Sequence, residues 1–215
     1  MLTILVPVLG RPHRIGPLIG DMVRATPEPF SFLFIASEGD TDTLTELAGL
    51  PHIVVGPPGT YPPKITAGFH ACDTPWVFTG ADDLHFHPGW LTAALAHDDG
   101  AVGVIGTNDL HNPRVLRGEH ATHSLVRRSY VDGPGGAYAE PGHVLHAGYH
   151  HHWCDDELVG LAQKRGLYAH AEDSVVEHLH HYAGKSTDDP TYELGRQNMT
   201  RDRSLHMRRK RLWRR

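Results

Sequence analysis

The chain has 215 residues, of which 40% are hydrophobic and 21% charged, and its formal net charge is −5. This length suits one domain with a sizeable core, and with no apolar run of 18 residues the sequence predicts no membrane-spanning helix. Two cysteines, Cys72 and Cys154, are too few for a disulfide framework. We therefore expect a cytoplasmic protein.

Basic residues are concentrated at the C-terminus. Residues 196–215 carry nine Lys and Arg side chains and one Asp, a net charge of +8, whereas the rest of the chain carries −13. This asymmetry predicts that the basic tail, residues 193–215, contacts a polyanion such as nucleic acid or an anionic membrane surface. A solvated C-terminal helix is the alternative interpretation.

The first half of the sequence alternates between apolar runs and segments of helical spacing. Apolar runs predict strands at residues 2–9, 30–36, 52–55, 76–79 and 101–105. Helical spacing predicts helices at residues 13–25, 43–50, 64–71 and 88–97, and the Pro- and Gly-rich segment 56–63 predicts a loop. This alternation predicts an α/β fold with a mainly parallel sheet and helices on both faces.

The second half is less regular. From residue 106 to Tyr149 turn residues are frequent, and we expect irregular structure there. Further on, the pattern predicts a helix at residues 155–165, a strand at 174–180 and polar helical structure after it. Because ligands of such folds bind at the carboxyl ends of the strands, we expect the acidic segments that follow strands to form the site.

Two adjacent carboxylates, Asp82 and Asp83, follow the strand at residues 76–79. Their burial would be costly without a cation or hydrogen-bond donors, and hard oxygen ligands suit Mg²⁺ or Mn²⁺. A helix cap and turn is the simpler alternative. His178 and His180 would point to the same face of the last predicted strand, where an imidazole can join a carboxylate-bound metal.

Two further acidic segments are candidates for chemistry. Glu38 and Asp40 follow the second strand, where they would accept hydrogen bonds from a ribose or a base, or simply form a turn and cap. Asp155 and Glu157 open a helix, where Asp155 would serve as a general base, although the helix dipole alone favours acids there. Lys185 follows Gly184 but lacks the earlier glycine of a P-loop, and no GxGxxG is present, which disfavours P-loop NTPases and dinucleotide dehydrogenases.

Taken in order, these segments resemble the family 2-like glycosyltransferases of the GT-A type, which have a single Rossmann-like domain. Residues 6–12 (VPVLGRP) look like the first strand of that family and its exit, and residues 38–42 (EGDTD) are similar to its nucleoside-binding acidic segment. Residues 78–83 (FTGADD) resemble its DxD metal-binding segment, and residues 154–158 (CDDEL) resemble the segment that carries its catalytic base. Within this family, the sequence most resembles the small glycosyltransferases of actinobacterial phages. This resemblance would place the protein in the host cytoplasm.

The resemblance implies a metal-dependent transfer of a sugar, with inversion, from a nucleotide-diphosphate sugar to an acceptor hydroxyl. It implies Asp155 and Glu157 as catalytic residues, with Asp155 taking the proton, and Mn²⁺ or Mg²⁺ on Asp82, Asp83, His178 and His180. The implied nucleotide-sugar-binding residues, with a UDP-sugar favoured, are Pro7, Arg11, Glu38, Asp40, Lys64, Asp82 and Lys185.

The resemblance also implies an organisation: a GT-A domain over residues 1–192, with a nucleotide-sugar half (1–106) and an acceptor and metal half (107–192). DNA, a protein and a glycan all stay open as the acceptor. The sequence departs from the family pattern at Gly80, which replaces the first Asp of DxD, and at Cys154, which replaces a Glu, so metal independence also stays open. A nucleotidyltransferase and a noncatalytic nucleic-acid-binding protein that uses the basic tail are the alternative functions.

Overall fold

The computed structural model describes residues 1–57 and 59–213. Eight strands form the sheet: β1 (Leu2–Pro7), β2 (Phe30–Ser37), β3 (His52–Val55), β4 (Trp76–Thr79), β5 (Leu84–Phe86), β6 (Val104–Asn108), β7 (Ser124–Arg127) and β8 (Tyr168–His178). Seven α-helices are described: α1 (Ile15–Ala25), α2 (Thr41–Glu46), α3 (Tyr61–His70), α4 (Trp90–Leu95), α5 (Arg128–Asp132), α6 (Cys154–Lys164) and α7 (Pro190–Arg209). Short 3₁₀ helices cover Pro12–Arg14, His181–Ala183 and Lys210–Leu212.

The strands form one mixed sheet in the order β3-β2-β1-β4-β7-β6-β8-β5. The first four strands of the chain are parallel, and Leu5 of β1 lies opposite both Leu33 of β2 and Thr79 of β4. Strand β7 is antiparallel to both of its neighbours, β6 and β8 are parallel, and β5 closes the edge antiparallel to β8. The predicted α/β fold with a mainly parallel sheet is confirmed.

Successive residues of β1 bury their side chains on opposite faces of the sheet, as strand geometry requires. Ile4 belongs to a cluster with Phe78 and Trp90, whereas Leu5 belongs to a second cluster that includes Leu158. Helices α1 and α4 supply the first cluster, and α3 and α6 supply the second. The predicted covering of both faces by helices is therefore confirmed, and it explains why β1 is apolar at nearly every position.

The structure corrects several predicted elements. Helix α3 begins at Tyr61, inside the segment predicted as a loop, because the prolines that follow occupy its first turn, where they need no backbone N–H partner. Strand β8 begins at Tyr168, six residues before the predicted start at 174, and β6 spans Val104–Asn108 where residues 101–105 were expected. The segment expected to be irregular contains β7 and α5.

Helix α7 begins at Pro190 and so spans the predicted boundary between the domain and the basic tail. Its residue Asp202 is fully buried and accepts the backbone N–H groups of His150, His151 and His152 at 2.8–2.9 Å. Thus α7 is fastened to the body of the protein, and the polyanion contact of the basic residues stays a prediction. Among the described residues, none of the helices has the length and apolar character needed to cross a membrane.

Candidate functional site

A cleft with a cavity volume of about 410 Å³ opens at the carboxyl ends of β1, β2 and β4. One side, which we call the strand wall, consists of residues that follow or face these strand ends: Pro7, Arg11, Glu38, Lys64, Asp82 and Asp83. The other side, the helix wall, consists of residues 150–152, 154 and 155 and of residues of α7. His123, His178 and His180 also line the cleft. Nine of the twelve predicted site residues therefore come together here.

Arg11 is the centre of the strand wall. Its guanidinium donates to Asp82 Oδ1 at 2.8 Å and to both carboxylate oxygens of Asp189 at 2.8 and 2.9 Å. It lies 4.0 Å from the ring centroid of Tyr192, whose hydroxyl donates to Asp83 Oδ2 at 2.8 Å. Arg11 thus binds Asp82 and Asp189 through charge-assisted hydrogen bonds. Helix α7 contributes Tyr192 to the same network.

The two adjacent acids differ in the direction in which their surroundings shift the pKa. Burial, together with the charge of Asp83, raises the pKa of Asp82 to about 6 despite its Arg11 partner. Burial acts on Asp83 in the same direction, but His178, which donates from Nε2 at 3.3 Å, and the Tyr192 hydroxyl outweigh it and hold the pKa of Asp83 well below its usual range. The crowding of two carboxylates in one buried site is the electrostatic condition that a bound cation relieves.

The side chains around these acids fit a divalent metal. Asp82 and Asp83 offer hard oxygen ligands, and the rings of His123 and His178 lie next to each other with centroids 5.1 Å apart. His123 donates from Nδ1 to the Thr79 carbonyl at 2.6 Å, and its buried Nε2 has no partner among the described residues. His180 lines the same cleft, and its Nδ1 accepts the Tyr182 N–H.

The structure explains the glycine at the first position of the DxD-like segment. A Cβ atom on Gly80 would lie 2.7 Å from the Leu5 carbonyl oxygen, which accepts the Gly80 N–H at 2.9 Å. An aspartate at this position would therefore push apart β1 and the end of β4. Asp82 and Asp83 supply the carboxylates instead.

Lys64 is fully buried in α3 and donates to the Val8 carbonyl at 2.6 Å. Burial lowers the pKa of Lys64 to about 8, against the attraction of Asp40 and Asp82. Asp40 itself accepts the Gly10 N–H at 2.7 Å and caps α2, as its alternative interpretation expected. The contact predicted between Asp40 and the donor stays a prediction.

The helix wall carries Asp155 at the start of α6. The residue before this helix, Trp153, has a left-handed backbone with φ of 64°, which is uncommon for a bulky side chain and often accompanies functional sites. His120 donates from Nε2 to Asp155 Oδ2 at 3.2 Å. Burial alone would raise the pKa of Asp155, but His120 outweighs it and lowers this pKa to about 2, so Asp155 is a carboxylate at neutral pH.

Besides Asp40, two other predicted residues do not line the cleft. Glu157 is 1% exposed, and it accepts hydrogen bonds from Nε and Nη2 of Arg209 and, at 3.0 Å, from the Tyr149 hydroxyl. Lys185 binds Glu177 Oε1 at 2.7 Å. Through these contacts Glu157 links α6 to α7. The predicted catalytic role of Glu157 and the predicted donor-binding role of Lys185 both stay predictions.

The sequence reasoning missed residues that line the cleft. Tyr61 donates to the Thr79 and Gly80 carbonyls at 3.2 Å, and His123, His151 and Tyr192 complete the lining. A signal for some of them was present, because His151 belongs to a run of three histidines and Tyr61 precedes a proline pair. His123 and Tyr192 carry no local signal, since only the packing of distant segments brings them to Asp83.

Comparison with solved structures identifies the architecture. The mannosyltransferase PcManGT from Pyrobaculum calidifontis, solved with GDP-Man and Mn²⁺, superposes with a TM-score of 0.63 at 13% identity over 82% of this chain. The chain has the GT-A fold. Glucosyl-3-phosphoglycerate synthase from Mycobacterium tuberculosis, solved with Mn²⁺, UDP and glucosyl-3-phosphoglycerate, also superposes with a TM-score of 0.63, at 14% identity over 97% of this chain.

The chain is shorter than these GT-A proteins. It spans 56% of the length of the mannosyltransferase and 79% of the length of the synthase. No protein-family model matches the sequence, and no curated protein matches it either. The similarity therefore concerns the fold, and the activity has to be argued from the site.

Proposed function

We propose that this protein is a metal-dependent glycosyltransferase that moves a sugar from a nucleotide-diphosphate sugar to an acceptor hydroxyl, with inversion. The observation that carries this proposal is the placement of two acidic centres in one cleft of a GT-A fold. Asp82 and Asp83 lie on the strand wall, and Asp155 lies on the helix wall. A donor phosphate group and an acceptor hydroxyl therefore have separate charged partners on the two sides.

The strand wall would bind the donor. Glu38 lines the cleft at the end of β2, where it can accept hydrogen bonds from the nucleoside. The Lys64 ammonium and the Arg11 guanidinium supply positive charge for the diphosphate. A Mn²⁺ or Mg²⁺ ion held by Asp82, Asp83 and His178 or His180 would neutralise charge on the departing nucleotide as a Lewis acid. The structures of both GT-A relatives contain Mn²⁺, which supports this cofactor.

The helix wall would activate the acceptor. The Asp155 carboxylate accepts the proton of the acceptor hydroxyl as its oxygen forms a bond to the anomeric carbon. The bond between that carbon and the diphosphate oxygen breaks at the same time, and the electron pair leaves with the nucleoside diphosphate. His120 fixes the Asp155 carboxylate through its 3.2 Å hydrogen bond. Attack from the face opposite the leaving group inverts the configuration.

The donor is proposed to be a UDP-sugar. The mycobacterial synthase, of which this chain spans the larger share, was solved with UDP, whereas the mannosyltransferase was solved with GDP-Man. The acceptor is left open between DNA, a protein and a glycan, because the described residues around Asp155 offer no feature that selects one of them.

The experiment is a panel of UDP-, GDP- and dTDP-sugars, each with and without Mn²⁺, measured by thermal shift and by slow hydrolysis of the donor. We expect a metal-dependent shift with one nucleotide and release of the nucleoside diphosphate. Release of pyrophosphate from nucleoside triphosphates would support the alternative nucleotidyltransferase. If no nucleotide shifts the melting temperature in either metal condition, the proposed function is wrong.

A further inference from the structure

A second cluster of metal-ligating side chains lies at the edge of the sheet. His85 is the middle residue of strand β5, and His87 follows two positions later. Their side chains share one face, because residues i and i+2 of a strand point to the same side, and their ring centroids are 4.8 Å apart. Glu177 of β8 lies directly opposite His85 in the antiparallel register. Three potential ligands, two imidazoles and one carboxylate, thus meet on one face of a two-stranded edge.

The spacing of the ligand atoms suits a metal ion. One ligand atom from each of His85, His87 and Glu177 lies within 4.8 Å of the other two, and His87 Nε2 is 3.3 Å from Glu177 Oε2. A tetrahedral Zn²⁺ with bonds of about 2.1 Å holds neighbouring ligand atoms roughly 3.4 Å apart. Small side-chain rotations would therefore bring the third ligand atom into range.

Neighbouring side chains fix the orientation of these ligands, as they do in known metal sites. Asp21 of α1 contacts His85 Nδ1 at 2.9 Å, which leaves Nε2 of His85 as the atom that can bind a metal. Asp21 is 8% exposed and is itself held by the Phe86 N–H at 2.6 Å. A carboxylate on the second nitrogen of a metal-binding histidine fixes the ring and raises its basicity. Lys185 binds Oε1 of Glu177. The other carboxylate oxygen, Oε2, contacts His87 and is the one that can bind a metal.

We propose that His85, His87 and Glu177 form a zinc-binding site, with Asp21 as the residue that positions His85. Two imidazoles and one carboxylate suit Zn²⁺ better than the harder Mn²⁺ or Mg²⁺. The two histidine side chains are 44% and 37% exposed, so the ion reaches the site from solvent and keeps a coordination position for water. The bound ion ties the edge strand β5 to β8.

This site is separate from the proposed donor site. Glu177 and His178 are adjacent in β8, so their side chains point to opposite faces of the strand, and His178 faces Asp83 in the cleft. The proposal therefore does not depend on the glycosyltransferase activity.

The test is a Zn²⁺ titration of the full-length, metal-stripped protein against a chromophoric chelator, without nucleotide. The double variant His85→Asn/His87→Asn should lose one tightly bound equivalent of Zn²⁺. Asp21→Asn, which keeps an oxygen acceptor for the Phe86 N–H, should weaken this equivalent by about 10–100-fold. His97→Asn, an exposed histidine elsewhere, and His120→Asn, from the other group of potential ligands around Asp155, should keep it.

The visible absorption of bound Co²⁺ provides a second readout that reports on coordination rather than on folding. We expect the wild-type spectrum in His97→Asn and its loss in the double variant, with unchanged far-UV circular dichroism in both. Equal Zn²⁺ stoichiometry and affinity in the wild type and the double variant would overturn the proposal, as would loss of the tight equivalent in His120→Asn alone.

Discussion

The two walls of the cleft hold their acids in different ways. On the strand wall, Asp82 and Asp83 are in contact with the Arg11 guanidinium, the Tyr192 hydroxyl and His178. On the helix wall, Asp155 has His120 as its partner, and the segment before it is held by Asp202 of α7, which does not line the cleft. In the proposed reaction, the strand wall therefore binds the metal and the diphosphate, and the helix wall presents one carboxylate, oriented by a histidine, to the acceptor hydroxyl.

The largest effect should come from the helix wall itself. Asp155→Asn removes the proposed base, and we expect the rate of sugar transfer to fall by about 10²–10⁴-fold, the usual contribution of a general base. Donor affinity, measured by calorimetry, should stay close to wild type because the strand wall is unchanged. The matched control is Asp156→Asn, whose side chain binds Arg114 outside the cleft. Equal transfer rates in both variants would remove Asp155 from the mechanism.

The next effect concerns how the helix wall is fastened. Asp202→Ala leaves the N–H groups of residues 150–152 without their acceptor, at a cost of roughly 1 kcal/mol or more for each. We expect the free energy of unfolding to fall by about 3 kcal/mol and the melting temperature by roughly 6–12 °C. Arg203→Ala, an exposed neighbour on α7, serves as the control. A loss below about 1 kcal/mol would show that α7 does not hold this wall.

A smaller effect should follow on the strand wall from restoring the missing acid. Gly80→Asp places a Cβ 2.7 Å from the Leu5 carbonyl oxygen, and overpacking of this kind costs about 1–3 kcal/mol. Urea unfolding measures this loss. Ala81→Asp, at the half-buried neighbouring position, is the comparison. If Gly80→Asp were as stable as wild type and bound Mn²⁺ more tightly, the steric explanation of Gly80 would be wrong.

The smallest effect is a pH dependence of donor binding. Because the pKa of Lys64 is about 8, its ammonium is charged below this pH and neutral above it. We therefore expect donor affinity to fall by about tenfold as the pH rises from 7 to 9, the loss of one charge-assisted hydrogen bond. Lys64→Gln should bind more weakly at pH 7 and show no step near pH 8. If donor affinity still falls near pH 8 in this variant, a group other than Lys64 titrates there.

The sequence predicted the parallel half of the fold more closely than the rest. Strands β1 to β4 were placed to within two residues, because strands buried on both faces are continuously apolar. The missed strands are short, and β5 carries His85 at its centre while β7 ends in Arg127. Their pairing with distant strands, which no local pattern encodes, makes them strands.

The site was predictable to a similar degree. Carboxylates at strand ends could be read from the sequence, since strand ends gather ligands in this type of fold. The partners of these carboxylates could not, because Asp189 lies 178 residues from Arg11 and Arg209 lies 52 residues from Glu157. Glu157 is an example: its position at a helix start resembles a catalytic segment, and only the folded chain reveals that it is buried against Arg209.

The most direct test of the account is a calorimetric titration of UDP into the full-length protein with and without Mn²⁺, in the wild type, Asp82→Asn and Asp156→Asn. We predict Mn²⁺-dependent binding in the wild type and in Asp156→Asn, and loss of the metal dependence in Asp82→Asn. UDP binding of equal strength with and without Mn²⁺ in the wild type, or an unchanged metal dependence in Asp82→Asn, would contradict a metal-mediated donor site on the strand wall.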